Sequence, residues 1–431
     1  MRLRLFLVLL CATILRTAGQ PSDTLRQEPR LTVDLQLLGH GEMRTGGLPE
    51  GAVDDHSRFV MNRERLVVGY QRDWIQAKVS LQHSNVWGEA GNATKTYEAW
   101  VRLQSPQGLF AQVGRQALSY DDERIIGPND WAMASQSHDA LSLGYEGKGH
   151  KAHAVLAYNQ NGVNIDQGGT YFTGGAQPYK SMQLLWYHYD LPKLPLGASL
   201  LFMNVGMQAG LPQDDEHTEN QQLLGAYVKY HPKGVTLDAS YYRQMGHDEH
   251  GLEIDAWLAA AKAQWQLSRS IGLEAGFDYM SGDKNFNVPA KGILGLTRHE
   301  KICGFNPIYG SHHKFYGAMD FFYVSAYYGG FTPGLQNAYV GGTYSPLRQL
   351  SLTARYHYLA TATKLEEMNM TLGHEIELAA RYALARDMTI AAGYSYMTGT
   401  STMERLKRAS DDGRLRWAWV SIVFAPRLFT K

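Results

Sequence analysis

The sequence holds no excess of either charge: its 431 residues carry 41 Lys and Arg against 41 Asp and Glu. A nucleic-acid binder would show a basic surplus, so that class is excluded. Cysteine is nearly missing, with only Cys11 and Cys303. No apolar run of about 20 residues occurs after residue 20, which excludes a bundle of membrane helices. Proline is sparse at 15, against 44 Gly and 26 Tyr. At 11% aromatic and zero net charge, the chain is unlike a disordered one. Two classes remain, a soluble β-rich protein and a membrane β-barrel. Low charge with abundant Tyr and Gly suits the barrel, whose strands are only half apolar.

The N-terminus reads as an address. Arg2 and Arg4 form a basic start, Leu5 to Ile14 an apolar run, and Thr17-Ala18-Gly19 a small-residue cleavage site. This is the pattern of a secretory signal peptide over residues 1–19, leaving 20–431 as the mature chain. Leu10 precedes Cys11, which argues against a lipoprotein site. Removing Arg2, Arg4 and Arg16 takes the net charge from zero to −3. Cys303 is then the sole cysteine, so an internal disulfide and Cys-based zinc or iron–sulfur sites are excluded.

After residue 30 the dominant signal is a period of two, the mark of half-buried strands. Ile271, Leu273, Ala275, Phe277 and Tyr279 share one face, opposite Gly272, Glu274, Gly276 and Asp278. Leu350, Leu352, Ala354, Tyr356 and Tyr358 oppose Ser351, Thr353, Arg355 and His357. About 18 such segments run from 31–38 to 414–424. Tight turns at Gln71-Arg72, Ser105-Pro106-Gln107, Pro232-Lys233, Ser345-Pro346-Leu347 and Arg386-Asp387 alternate with longer loops. The longest loops include 39–57, 117–137, 159–180 and 281–334. Both termini then fall on the short-turn side, the layout of an outer-membrane barrel. Phe315 to Val324 looks strand-like but must stay within the 281–334 loop, as a hairpin or an inward fold. Ala256 to Gln266 reads as a strand over an amphipathic helix. No linker or repeat marks a second folded domain.

The expected fold is therefore all-β: a closed, single-sheet, transmembrane antiparallel barrel of about 18 strands. Eighteen strands exceed the usual open sheet and enclose a lumen too wide for strand side chains to fill. A water-filled lumen also explains charges at alternating strand positions, which a dry core would penalise. Trp74, Trp100, Tyr158, Trp186, Tyr230, Trp257, Trp265, Tyr279, Tyr358 and Tyr382 are candidates for the aromatic girdles that face lipid headgroups. Outer-membrane lipid is thus one expected partner.

Gly114-Arg115-Gln116-Ala117-Leu118-Ser119-Tyr120-Asp121-Asp122-Glu123-Arg124-Ile125-Ile126-Gly127 is more specific than composition. Asp130-Trp131 and Asp139-Ala140 follow it. This stretch resembles the alginate-export porin family. Gly310-Ser311-His312-His313-Lys314-Phe315-Tyr316-Gly317 with Asp320, and the paired Arg63 and Arg65, resemble further family patterns. The resemblance implies an 18-stranded outer-membrane channel in a Gram-negative bacterium. Its best-known members export an anionic polysaccharide through an arginine-lined pore.

The residues carry chemistry of their own. Arg115 and Arg124 flank the acidic cluster Asp121, Asp122 and Glu123. One reading has Arg124 pin the loop by bridging Asp121 or Asp130. The other places these groups in a constriction, where rings of charge select solutes. Lys314 joins that constriction if the 281–334 loop folds inward. The inward cations Arg63, Arg65, Lys78, Arg102, Lys151, Lys229, Lys262, Arg355 and Arg381 are nearly balanced by Asp34, Glu98, Asp238, Glu274, Asp278, Glu375 and Glu377. Balance fits a passive porin for small hydrophilic solutes or saccharides better than a dedicated polyanion exporter. Local segregation of the charges would still create an anion path.

The competing reading is a barrel with a plugged lumen, acting as an enzyme or an adhesive protein. Catalysis finds little support. Gly393-Tyr394-Ser395-Tyr396-Met397 lacks the second Gly of a nucleophile elbow. His247 with His250, and His312 with His313, match no metal-site spacing. No Gly-rich phosphate loop follows a strand. No catalytic residue, cofactor or protein partner is assigned.

Overall fold

The computed structural model describes residues 28–47, 56–89, 91–159, 177–209, 217–283, 301–322, 332–365, 368–407 and 413–431. The leader expected over 1–19 lies outside the described residues, as do parts of the 281–334 loop and the end of the strand-like segment Phe315 to Val324.

The strands are β1 (Arg30–Thr45), β2 (His56–Arg72), β3 (Ile75–Val86), β4 (Asn92–Gln104), β5 (Leu109–Gln116), β6 (His138–Gly147) and β7 (His150–Tyr158). They continue as β8 (Ser181–Asp190), β9 (Leu196–Gln208), β10 (Thr218–Tyr230), β11 (Val235–His247), β12 (Glu253–Gln266) and β13 (Ile271–Met280). Then come β14 (Lys301–Ile302), β15 (Leu335–Leu347), β16 (Leu350–Ala360), β17 (Thr371–Ala385), β18 (Met388–Gly399), β19 (Arg414–Phe424) and β20 (Arg427–Thr430). Among the described residues one α-helix, α1 (Ser401–Lys407), sits in the last long loop. Eighteen of the strands are long, and β14 and β20 are short additions. Long strands pair antiparallel with their chain neighbours, and β1 closes the sheet against β19. Closure matters because lipid cannot satisfy an open edge.

The alternation sorts side chains as a barrel requires. Val79, Leu81, Leu185, Leu200, Leu224, Val340, Leu378 and Val420 stand exposed on the outer face. Ser80, Gln82, Glu98, Ser142, Gln244, Asp278, His357 and Glu375 are buried on the inner one. Trp257 stacks between Tyr241 and Tyr279 on the outer wall, as a girdle predicts. Two girdle candidates face inward instead. Trp100 donates to the lumen carboxylate of Glu98, and Trp186 donates to Asp121. In both, an aromatic residue occupies an inner-face position because a polar partner awaits its indole N–H.

Other departures are local. β1 runs seven residues beyond the expected strand, since Gly39 and Gly41 break the apolar pattern without breaking the ladder. The first tight turn falls at Asp73 and Trp74, where Asp73 takes φ 46°. β15 continues through an irregularity between Tyr344 and Leu347, so the turn follows Pro346 rather than containing it. Ala256 to Gln266 is strand.

Candidate functional site

Two long-loop segments fold into the barrel, and lumen side chains hold each of them. The first is 117–137, between β5 and β6. Arg63 donates to the carbonyl oxygens of Asp130 and Ala132, both at 2.9 Å. Arg65 donates to the Asp130 carboxylate at 2.7 Å and lies over the Tyr97 ring. Gln82 reaches the Met133 carbonyl, and Lys95 those of Ala134 and Ser135. Burial alone would raise the Asp130 carboxyl, but the Arg65 and Arg63 guanidiniums outweigh it and hold it below the usual range.

The second segment is 301–322, between β13 and β15. It includes β14 and a single 3-10 turn, His312–Lys314. It zips to the first segment through backbone bonds. Gly127 N–H donates to Tyr309 O, Tyr309 N–H to Ile125 O, and Ser311 N–H to Glu123 O. Lys314 pairs with Glu123. Burial would push the Glu123 carboxyl up; the Lys314 ammonium and the Ser119 hydroxyl bring it below its ordinary value. The far end docks on β17, where Ala318 N–H donates to Glu377 and Met319 N–H to Glu375. Gly317 permits that approach: its φ is 92°, and a Cβ there would lie 2.4 Å from the Glu375 carboxylate.

Arg124 rivets the two segments to the wall. Its buried guanidinium lies 3.1 Å from Asp278 on β13 and 3.2 Å from Asp122. It also donates to the Tyr316 hydroxyl and stacks on Phe315 at 4.0 Å. Around this rivet the loops share one apolar core with inward side chains of the barrel, among them Val155, Met182, Leu184, Met203 and Leu258. That core fills one side of the lumen.

The other side stays open. A cavity of ≈ 570 Å³ lies against β16 to β19 and β1, lined by the short side chains of Ser351, Thr353, Ala379, Ala391 and Ser421, with Asp130 to Met133 on the loop side. Two smaller spaces of ≈ 440 and ≈ 170 Å³ flank Lys314, Phe315 and Arg355. The smallest shares lining residues with each of the other two, so the three trace one passage around the His313–Phe315 turn.

The sequence-derived candidates divide accordingly. Arg63, Arg65, Asp130 and Arg124 face inward but serve as anchors. Arg124 pairs with Asp122 and Asp278, rather than with Asp121 or Asp130. Asp121 instead accepts from Trp186. Arg102 lies low in the lumen, stacked on Phe110 and 3.3 Å from Glu146. Lys314 and Arg355 line the passage, and Arg355 shares its charge with Glu274 and Glu377. Arg381 lines the large cavity, and among the described residues it has no ion pair. Its cross-strand partners are Ser351 and Ala391, neither able to neutralise it.

Arg115 and Asp139 are different. They pair across β5 and β6 by two hydrogen bonds of 2.9 and 2.7 Å. Alternation from the exposed Val113 puts both on the outer face, so they do not line the pore. Gly114 beside them has φ 122°, and a Cβ would collide with Ala99 O at 2.1 Å. This part of the motif shapes the wall. Sequence reasoning missed the anchoring roles of Asp278, Glu375 and Glu377 and the inward aromatic groups Trp131 and Trp419. Among the described residues no cluster of His, Cys, Asp or Glu could hold a metal ion.

Residues 79–405 match the model of the family described as alginate export. None of the curated proteins matches the chain. Among solved structures, OccK3 (OpdO) of Pseudomonas aeruginosa aligns with a TM-score of 0.62 at 13% identity, over 93% of this chain and 96% of that one. OccK2 (OpdF) of the same organism, in complex with glucuronate, aligns with a TM-score of 0.60 at 12% identity, over 93% and 98%. OccK5 (OpdH) gives a TM-score of 0.60 at 13% identity, over 93% and 98%. Identities this low speak for the shared barrel fold.

Proposed function

The chain belongs to the alginate export family and is a channel of the Gram-negative outer membrane, and on that premise we propose that its passage favours small hydrophilic solutes bearing a carboxylate, acidic saccharides among them. One observation carries the reading: Arg381 projects from a wall of short side chains with no ion-pair partner among the described residues. A free guanidinium matches a carboxylate bidentately and is always charged. Lys314 and Arg355 add positive charge along the same passage, although each is partly neutralised by Glu123, or by Glu274 and Glu377. The likeness to OccK2, which holds glucuronate, agrees with this class of solute.

The channel performs no chemistry in this reading: its charged groups are committed to anchoring or to lining. Residues 1–19 are a leader removed on export, which intact-mass measurement of the purified protein tests by the mass of a chain starting at Gln20.

Reversal potential in a planar bilayer under a salt gradient tests the selectivity. Wild type is expected to prefer anions. Removing one charge at about 4 Å from a permeating ion costs about 1 kcal/mol even in bulk water. Arg381→Gln should therefore lower the anion-to-cation permeability ratio about fivefold. An unchanged ratio would remove Arg381 from the selectivity argument. No conductance from a folded barrel would favour a sealed lumen.

A further inference from the structure

Trp131 is the one residue of the Asp130–Met133 stretch that loop anchoring leaves unused. Its neighbours are tethers: Asp130 holds Arg63 and Arg65, the Ala132 carbonyl accepts from Arg63, and the Met133 carbonyl from Gln82. The indole instead borders the ≈ 570 Å³ cavity. One face is covered by His313, stacked at 4.1 Å with an interplanar angle of 8°. His313 is in turn fixed by Asp320 at 2.8 Å. Trp419 meets Trp131 edge-on at 5.3 Å and lines the same cavity. Gly393 makes room for Trp419, since a Cβ there would lie 2.4 Å from the indole.

A purely packing role does not account for this ring. Trp417, whose indole N–H donates to Glu42, is 2% exposed, whereas Trp131 keeps 39% of its surface accessible inside the barrel. An accessible indole, backed by a rigid partner and facing a water-filled space, is a surface awaiting an apolar face.

We propose that Trp131 and Trp419 form a stacking platform for one pyranose ring of an acidic saccharide, whose carboxylate is taken by Arg381. The proposal deepens the channel reading above and rests on it. A pyranose offers an apolar C–H face to an indole while its hydroxyls remain at the ring edge. Gln36 and Arg44, which line the same cavity, supply polar groups for those hydroxyls. A volume of ≈ 570 Å³ falls within the roughly 300–1,000 Å³ of small-molecule sites. The platform would retain a sugar in transit, where Arg381 alone would treat all small anions alike.

The test is current blockade of the full-length channel in a planar bilayer, with digalacturonate, maltose and acetate as probes. Wild type should show saturable blockade by digalacturonate and weaker blockade by maltose. Trp131→Leu should raise the half-blocking digalacturonate concentration about tenfold, and Trp131→Phe by threefold or less, with acetate permeability unchanged in both. Arg381→Gln should weaken digalacturonate and leave maltose alone. Trp419→Leu, on a strand held by its ladder, should repeat the Trp131→Leu loss without changing any residue of the loop. No digalacturonate blockade in wild type, or blockade indifferent to both tryptophans, overturns the platform while anion selectivity remains. A wild-type channel without anion preference instead removes the reading on which the platform rests.

Discussion

Arg124 is the place to ask whether the inward segments are held or merely resting. Its guanidinium is 4% exposed and is shared by Asp278 at 3.1 Å, Asp122 at 3.2 Å and the Tyr316 hydroxyl at 3.0 Å. Asp278 is itself buried and also accepts from Asn337. Arg124→Ala deletes the cation and leaves Asp278 uncompensated in the loop–wall interface. Breaking a buried pair on one side costs about 3–5 kcal/mol. Set against the docked–undocked equilibrium of the segments, that is roughly a hundred- to several-thousand-fold shift, since about 1.4 kcal/mol is tenfold. The barrel ladder does not pass through Arg124, so the wall should survive. Single-channel recording should show a larger conductance with frequent fluctuation, and the folded barrel should still migrate as the compact form in unheated gels. Arg124→Leu combined with Asp278→Asn and Asp122→Asn should recover much of the steady wild-type current, because no buried charge is then left alone. Unchanged current in Arg124→Ala, or a triple variant worse than the single one, would refute the rivet.

Further expectations follow from the same geometry. The carboxyl of Asp130 sits below its ordinary value of 3.8, so its contribution to anchoring is complete above that value and is lost as pH falls below it; conductance should hold steady from pH 8 to about 5, and loosen only in stronger acid. Asp130→Asn should remove that acid transition when current is recorded against pH. Arg115→Ala, on the outer wall, should leave ion selectivity untouched; its half-exposed pair with Asp139 is worth at most about 1 kcal/mol, which thermal unfolding would register as a small loss. Gly317→Val should disrupt docking of the second segment through both its φ of 92° and the Glu375 carboxylate, and raise conductance as Arg124→Ala does.

Strands were the legible part because a period of two survives any tertiary context. Ile271–Met280 could be bounded to the residue, since apolar residues alternate with Gly, Glu and Asp up to Tyr279; Arg414–Phe424 also has the expected bounds, although Trp417 to Val420 are all apolar and break the alternation. The second half of β1 was not legible: with Gly39 and Gly41 outside, and His40 and Glu42 inside, Met43 is the one apolar residue left on the outer face, too little to show a period. Candidate site residues were legible as charged positions but not as roles. Arg115 and Arg124 look alike in sequence, yet one faces outward and the other sits in the loop–wall core. What separates them is the strand parity at Val113 and a carboxylate on β13, and neither is visible within the motif. Trp131 lay in plain view beside Asp130, but its accessibility depends on His313, from the other inward segment.

The seam between β1 and β19 has a consequence for biogenesis. All other pairings of long strands join chain neighbours, whereas this one brings Leu37 against Phe424, with β20 adding Val33 against Phe429. Contact order is therefore low everywhere except at a single closure spanning nearly the whole chain, which carries the largest loop-closing entropy. Until β19 arrives, β1 and β18 are both raw edges, and hydrocarbon offers them no hydrogen bonds. The sheet thus cannot enter the bilayer strand by strand and wait. Both edges must be chaperoned, by water or by a borrowed strand, until the last one is delivered.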